Sequence, residues 1–156
     1  MTIQGFSLIE LLIVLAILGI LLALSLFNYA KWRANSAVRE GAQEFTRAIT
    51  QTRTGSKRLN VCQEVKLAAS SGATSLTVST FGGTVCTGSS VAGPAFTMPP
   101  NVTISVSGGS ANSVIFKPPY GTTSAVDKTF TVQWVSDPSI VKTVRVTGLF
   151  GKVIVQ

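Results

Sequence analysis

The sequence predicts an α+β fold. One long N-terminal helix, membrane-spanning in its first half, packs through its second half on a small antiparallel β domain. Three observations lead there. Leu11–Phe27 is a charge-free run of 17 residues dominated by Leu, Ile, Val and Ala. Beyond it, Ala34, Val38, Ala42, Phe45, Ile49 and Thr52 recur at three- and four-residue spacing, the period of one helix face. After residue 54 the chain becomes rich in Ser, Thr and Gly, in short β-type runs separated by turn residues.

The apolar run makes a helix of roughly 25 Å at about 1.5 Å per residue, close to the roughly 30 Å of a hydrocarbon core. Extension to Phe6 and Ala30 is more than enough to span. Glu10 is the only charge in the first thirty residues and sits one turn into this helix. A carboxylate there costs about 3 kcal/mol in lipid unless something pairs with it, which marks it as functional. A secretory signal peptide would carry a basic start and a shorter apolar core, and MTIQ has no Lys or Arg. A plain anchor leaves Glu10 unexplained.

In the second half of the helix, Arg33, Arg39, Glu40, Glu44, Arg47 and Arg53 fall mostly opposite the apolar stripe. No Pro precedes Pro94, so nothing forces a break. Thr54-Gly55-Ser56 predicts the stop, with Gly55 as the C-cap, so the helix runs from about Phe6 to about Thr54. A single apolar stripe needs a sheet to lie on. That sheet is predicted from Leu59–Leu67, Ser75–Phe81, Val102–Val106, Val114–Phe116, Phe130–Val135, Val141–Val146 and Val153–Val155. Between them lie Ser70-Ser-Gly, Gly82-Gly, Gly108-Gly-Ser, Pro118-Pro-Tyr-Gly and Asp137-Pro-Ser, all turn chemistry. The clearest unit is the terminal hairpin, Thr143–Thr147 and Lys152–Val155 around Gly148-Leu-Phe-Gly151.

Thirteen Lys and Arg stand against six acids, with no His, for a net charge of +7. Such an excess suits a polyanion or an anionic surface. Eight of the bases, however, lie between Lys31 and Lys66, where a solvated helix face is the ordinary explanation. The sequence carries no GxSxG, HExxH or phosphate loop and no histidine base, so neither an enzyme nor a cofactor is expected. Asp127 and Asp137 sit in turn-like sequence. Trp32, among Tyr29, Lys31 and Arg33, is placed as an interfacial anchor.

Gly5-Phe6-Ser7-Leu8-Ile9-Glu10 resembles the processing motif of type IV prepilins and pseudopilins. The resemblance implies a pilin fold, cleavage by prepilin peptidase between Gly5 and Phe6, and N-methylation of Phe6. It also implies that Glu10, the fifth mature residue, pairs with the N-terminal amine of a neighbouring subunit. A buried carboxylate and a buried ammonium neutralise one another, and a one-subunit slip would leave both unpaired. The leader departs from the family pattern, which usually has Lys or Arg. Here the nearest bases, Lys31 and Arg33, follow the span, and the positive-inside rule alone would orient the chain backwards. Either peptidase recognition overrides that rule or the true start lies upstream of Met1.

Arg47–Val65 and the final Thr-Gly-x-x-Gly-Lys-Val resemble GspH/FimT-type minor pilins and pseudopilins, in which a long helix packs on two small sheets. The expected organisation is a leader at 1–5, a membrane and filament-core helix at 6–29, an amphipathic continuation at 30–55 and a β-rich domain at 56–156. The expected partners are other pilin subunits, prepilin peptidase and the bacterial inner membrane. The chain would cross that membrane once, with its C-terminal domain in the periplasm, or outside the cell in an assembled filament. Cys62 and Cys86 are the only cysteines, and an exported domain favours joining them. The bridge would close a loop of about 25 residues and contribute roughly 3 kcal/mol. Two buried free thiols are the alternative.

The function expected is a minor structural subunit that helps to initiate or cap a type IV pilus. One alternative is a pseudopilin of type II secretion. Another is a DNA-binding pilin of natural transformation, as some FimT-like proteins are, with Lys152, Arg145, Arg53, Lys57 and Arg58 as the candidate contacts. The family's Gly-Arg-x-Arg end is half present. Gly151 matches, Lys152 replaces the first arginine and Ile154 occupies the second. Lysine holds a phosphate as a point charge but lacks the guanidinium fork. A membrane-anchored β domain unrelated to pili is the third possibility, in which Gly5 is never cut.

Overall fold

The computed structural model describes residues 7–107, 111–123 and 127–156, the side chains at 24–27 excepted. Gly5, Phe6 and the leader lie outside the described residues, as does the Gly108-Gly-Ser turn. Helix α1, Leu8–Leu59, is 52 residues long and contributes to two compact units, Met1–Ala34 and Asn35–Gln156.

In the first unit the helix from Leu11 to Ala23 is apolar all round, and Leu8, Leu11, Ile13, Leu15, Ile17 and Leu21 are exposed. It is long and apolar enough to cross a membrane. A helix with no polar face is at home only in lipid or inside a bundle. Tyr29 and Trp32 close this stretch, exposed and with ring centroids 5.9 Å apart.

The second unit buries the predicted stripe. Val38, Ala42, Phe45, Ile49, Thr52 and Ser56 are all buried. Each contacting position recurs three or four residues on because that spacing returns to the same face. Eight strands follow: β1 (Gln63–Leu67), β2 (Ser75–Phe81), β3 (Ser90–Thr97), β4 (Val102–Ser107), β5 (Ser113–Phe116), β6 (Lys128–Trp134), β7 (Val141–Thr147) and β8 (Lys152–Val155). They form two four-stranded sheets, β3-β2-β1-β5 (sheet A) and β4-β6-β7-β8 (sheet B), antiparallel throughout.

Alternation decides which residues face the core. Val65, Leu67, Leu76, Val114 and Phe116 are buried from sheet A, and Val102, Ile104, Phe130, Val132, Val144 and Val146 from sheet B. The Phe45 ring meets that of Phe130 at 4.7 Å between centroids, tilted by 57°. The sheets are stitched where Ala73 and Ile104 exchange backbone hydrogen bonds of 2.8 and 2.9 Å. Cys62 and Cys86 are joined in a disulfide with Cα atoms 5.4 Å apart.

Three boundaries differ from the sequence expectation. The helix runs to Leu59 instead of stopping near Thr54, and Gly55 is not its cap. The Ser56 hydroxyl donates to the Phe116 carbonyl at 3.0 Å, so the extra turn is docked on β5. Lys57 and Arg58 suit the negative end of the helix dipole. Asn60, at φ 52°, occupies the left-handed position just past the helix end. Gly55 is instead a close-approach residue, since a Cβ there would run into Oε1 of Gln63. Consequently β1 starts at Gln63 and not at Leu59. Finally, β3 was not among the predicted runs. Its Gly93-Pro94 resembles a turn, but β3 lies at the edge of sheet A, where proline is tolerated, and the register shifts opposite it between Thr77 and Ser79.

Candidate functional site

Glu10 lies in the first turn of α1, where the amides of Glu10 and Leu11 donate to the Ser7 carbonyl at 3.1 and 3.2 Å. The positive end of the helix dipole favours a carboxylate there. Its surroundings do not, because Leu8, Ile9, Leu11, Leu12 and Ile13 are exposed apolar side chains. Thus the carboxylate stands in a sleeve that only lipid or other apolar helices can cover.

The five basic candidates separate into three groups. Arg53 and Lys57, four residues apart on α1, lie against Gly121 in the β5–β6 loop. A Cβ at 121 would be 2.9 Å from Lys57 Cε and 3.0 Å from Arg53 Cγ. Gly121 also has φ +65°, which suits glycine twice over. Arg53 Nε is buried and has no hydrogen-bond partner among the described residues. Arg58 does not join this pair. It lines a groove on another side of the helix, with Thr54, Gln63 and Pro94.

Arg145 and Lys152 share the outer face of the terminal hairpin. Arg145 pairs with Ile154 and Thr147 with Lys152, so the two bases are diagonal neighbours, about 7–8 Å apart in such a ladder. Asp127 holds Arg145 Nη2 at 3.5 Å. The turn before Lys152 leans on the same β5–β6 loop, for Thr123 donates to the Leu149 carbonyl at 2.8 Å. A Cβ at Gly151 would come within 2.8 Å of the Phe116 ring. The loop is therefore bordered by Arg53 and Lys57 on one side and by the Lys152 turn on the other. It presents Tyr120, while the turn presents Leu149 and Phe150, all more than half exposed. The sequence identified both basic ends but not the loop between them. The only signal was its Pro-Pro-Tyr-Gly turn.

Among the described residues no group of His, Cys, Asp and Glu could hold a metal ion.

Residues 1–26 match the family model described as the prokaryotic N-terminal methylation motif. Among solved structures, the chain is similar to the type IV minor pilin FimU of Pseudomonas aeruginosa (strain PAO1) in two crystal forms. In one the TM-score is 0.57 at 11% identity, covering 76% of this chain and 91% of that one. In the other it is 0.59 at 13% identity, covering 76% and 87%. No curated protein matches. The chain thus carries the prokaryotic methylation motif at its N-terminus and has the pilin fold, a long helix packed on antiparallel sheets as in that minor pilin.

Proposed function

We propose that the chain is a minor structural subunit of a type IV pilus. It is made with a leader ending at Gly5, cut there by prepilin peptidase and methylated on Phe6. The segment 6–29 joins the filament core, the helix continues from 30 to Leu59, and the rest of the chain forms the outer β domain. The observation that carries this is Glu10, an exposed carboxylate one turn into an apolar helix, with no covering partner among the described residues. A neighbour's N-terminal ammonium would neutralise it and set the axial register. The minor-pilin assignment draws on the fold shared with FimU. No catalytic step is involved.

The test is made in a host with its own prepilin peptidase. Mass spectrometry of the mature protein should find N-methylated Phe6 as the first residue. Glu10→Ala should insert in the membrane at the normal level yet fail to enter filaments. An uncut Gly5, or filaments that take up Glu10→Ala as readily as the parent, would sink the proposal. Rescue of a type II secretion mutant, with no effect on pili, would reassign the chain as a pseudopilin.

One observation favours a second reading, DNA binding. Arg53, Lys57 and Lys152 border one loop that also exposes Tyr120. Phosphate contacts of this kind weaken steeply with salt. Duplex DNA should then bind the full chain in micelles at low salt, and Lys57→Ala or Lys152→Ala should weaken it. Binding insensitive to salt and to both substitutions would remove the reading.

A further inference from the structure

A groove of about 760 Å³ opens between α1 and the facing edges of the two sheets. Its helix wall includes Thr46, Arg47, Thr50 and Arg58, and its sheet walls include Pro94 of β3 and Val155 of β8. A second hollow of about 420 Å³, lined by Arg39, Gln43, Lys142 and Val155, continues it, since Gln43 and Val155 line both. From Arg39 to Arg58 the helix wall runs about 28 Å at 1.5 Å per residue.

Two features define what fits. The first is an open strand edge. Strand β8 is the last of sheet B, and Thr143 and Gln156 exchange hydrogen bonds of 3.0 and 2.9 Å. Antiparallel pairing alternates, so Ile154 and Lys152 also bond to β7, while Val153 and Val155 direct their N–H and C=O groups to the free edge. The second is charge. Arg39, Arg47, Arg58 and Lys142 line the two hollows, and no acid does. Glu44 reaches Arg47 only at 4.0 Å, and the arginine is 74% exposed. The hydroxyls of Thr46 and Thr50 donate back to the helix carbonyls of Ala42 and Thr46 at 2.8 and 2.9 Å. The helix wall is therefore less polar than its sequence.

The geometry points to strand addition. The groove takes an extended acidic segment of a different protein, which pairs with β8 and meets the arginines with alternate carboxylates. An eight-residue strand is about 27 Å long and matches the groove. A second copy of this chain is the wrong occupant, because a net charge of +7 repels itself at a cationic rim. The inference is independent of the filament role.

Eight-residue peptides displayed on phage are panned against the full chain in detergent micelles. The peptides recovered should alternate Asp or Glu with Val, Ile or Thr. Val155→Pro deletes an edge N–H without touching the β7 ladder, and should weaken their binding about tenfold, the scale of one hydrogen bond. Arg47→Glu/Arg58→Glu, at the wall of the groove, should select basic peptides instead, and it decides the matter if Val155→Pro unfolds. Four outcomes would overturn the inference. These are no enrichment, enriched peptides without acids, acidic peptides that bind both variants as tightly as the parent, and self-association of the full chain that Val155→Pro abolishes.

Discussion

The Lys128 ammonium donates to the Ser113 carbonyl at 2.8 Å, tying the first residue of β6 in sheet B to β5 in sheet A. A second bond, 3.1 Å to the Ala111 carbonyl, holds the same group. Burial pushes the Lys128 pKa below its ordinary value, and the nearby Glu64 carboxylate opposes this in part. The unfolded chain therefore binds this proton more tightly than the folded one. The burial cost is fully present below the folded pKa and disappears as pH rises from there to the ordinary lysine value of about 10.4. Parent stability measured relative to Lys128→Met should thus increase with pH across that window in paired denaturant melts. A constant or falling difference would contradict the account.

Gly41 is a close approach of α1 to sheet B. A Cβ there would lie 3.0 Å from Val102 Cγ1 and 3.3 Å from Val132 Cγ1. Glycine to alanine inside a helix ordinarily gains about 1 kcal/mol. Here both neighbours are buried core side chains, and overpacking of this kind costs about 1–3 kcal/mol. Gly41→Ala should therefore lower the denaturation midpoint.

Gly55 gives a milder version of the same conflict. Gln63 must move to admit a methyl group, and its amide would lose the 3.1 Å bond to Thr80 Oγ1. Gly55→Ala should gain about 1 kcal/mol of helix propensity and lose about 1 kcal/mol with that hydrogen bond, leaving the denaturation midpoint nearly unchanged.

Phe45 and Phe130 are both fully buried, and their tilted rings meet across the helix–sheet junction. Truncating either to alanine leaves a cavity, at about 3–5 kcal/mol. Phe45→Ala and Phe130→Ala together should cost less than the sum of the two, because they share one contact.

The disulfide closes 24 residues of separation around β1, β2 and the first part of the loop that leads to β3. Its loss should cost about 3 kcal/mol. A Cys62→Ser/Cys86→Ser protein and the reduced parent should melt at similar temperatures, both below the oxidised chain.

Much of this architecture was legible in the chain because it depends on local period. Val38, Ala42, Phe45 and Ile49 announce a buried helix face at any distance from the sheets, and Val102, Ile104 and Val106 announce a strand by alternation. The methylation motif was equally legible, since it is a short linear pattern confined to residues 1–26. What the chain by itself determined was therefore the apolar helix, the stripe, most strands and the methylation motif. Tertiary structure decided the rest. It carried the helix past Gly55, because Ser56 finds its acceptor on Phe116, sixty residues away. It accepted Pro94 in a strand, because β3 has a free edge. It also divided the basic residues, sending Arg53 and Lys57 to the Gly121 loop and Arg58 to the groove. Periodicity reports which way a side chain points along its own element, whereas partners brought together from distant sequence depend on how the elements pack.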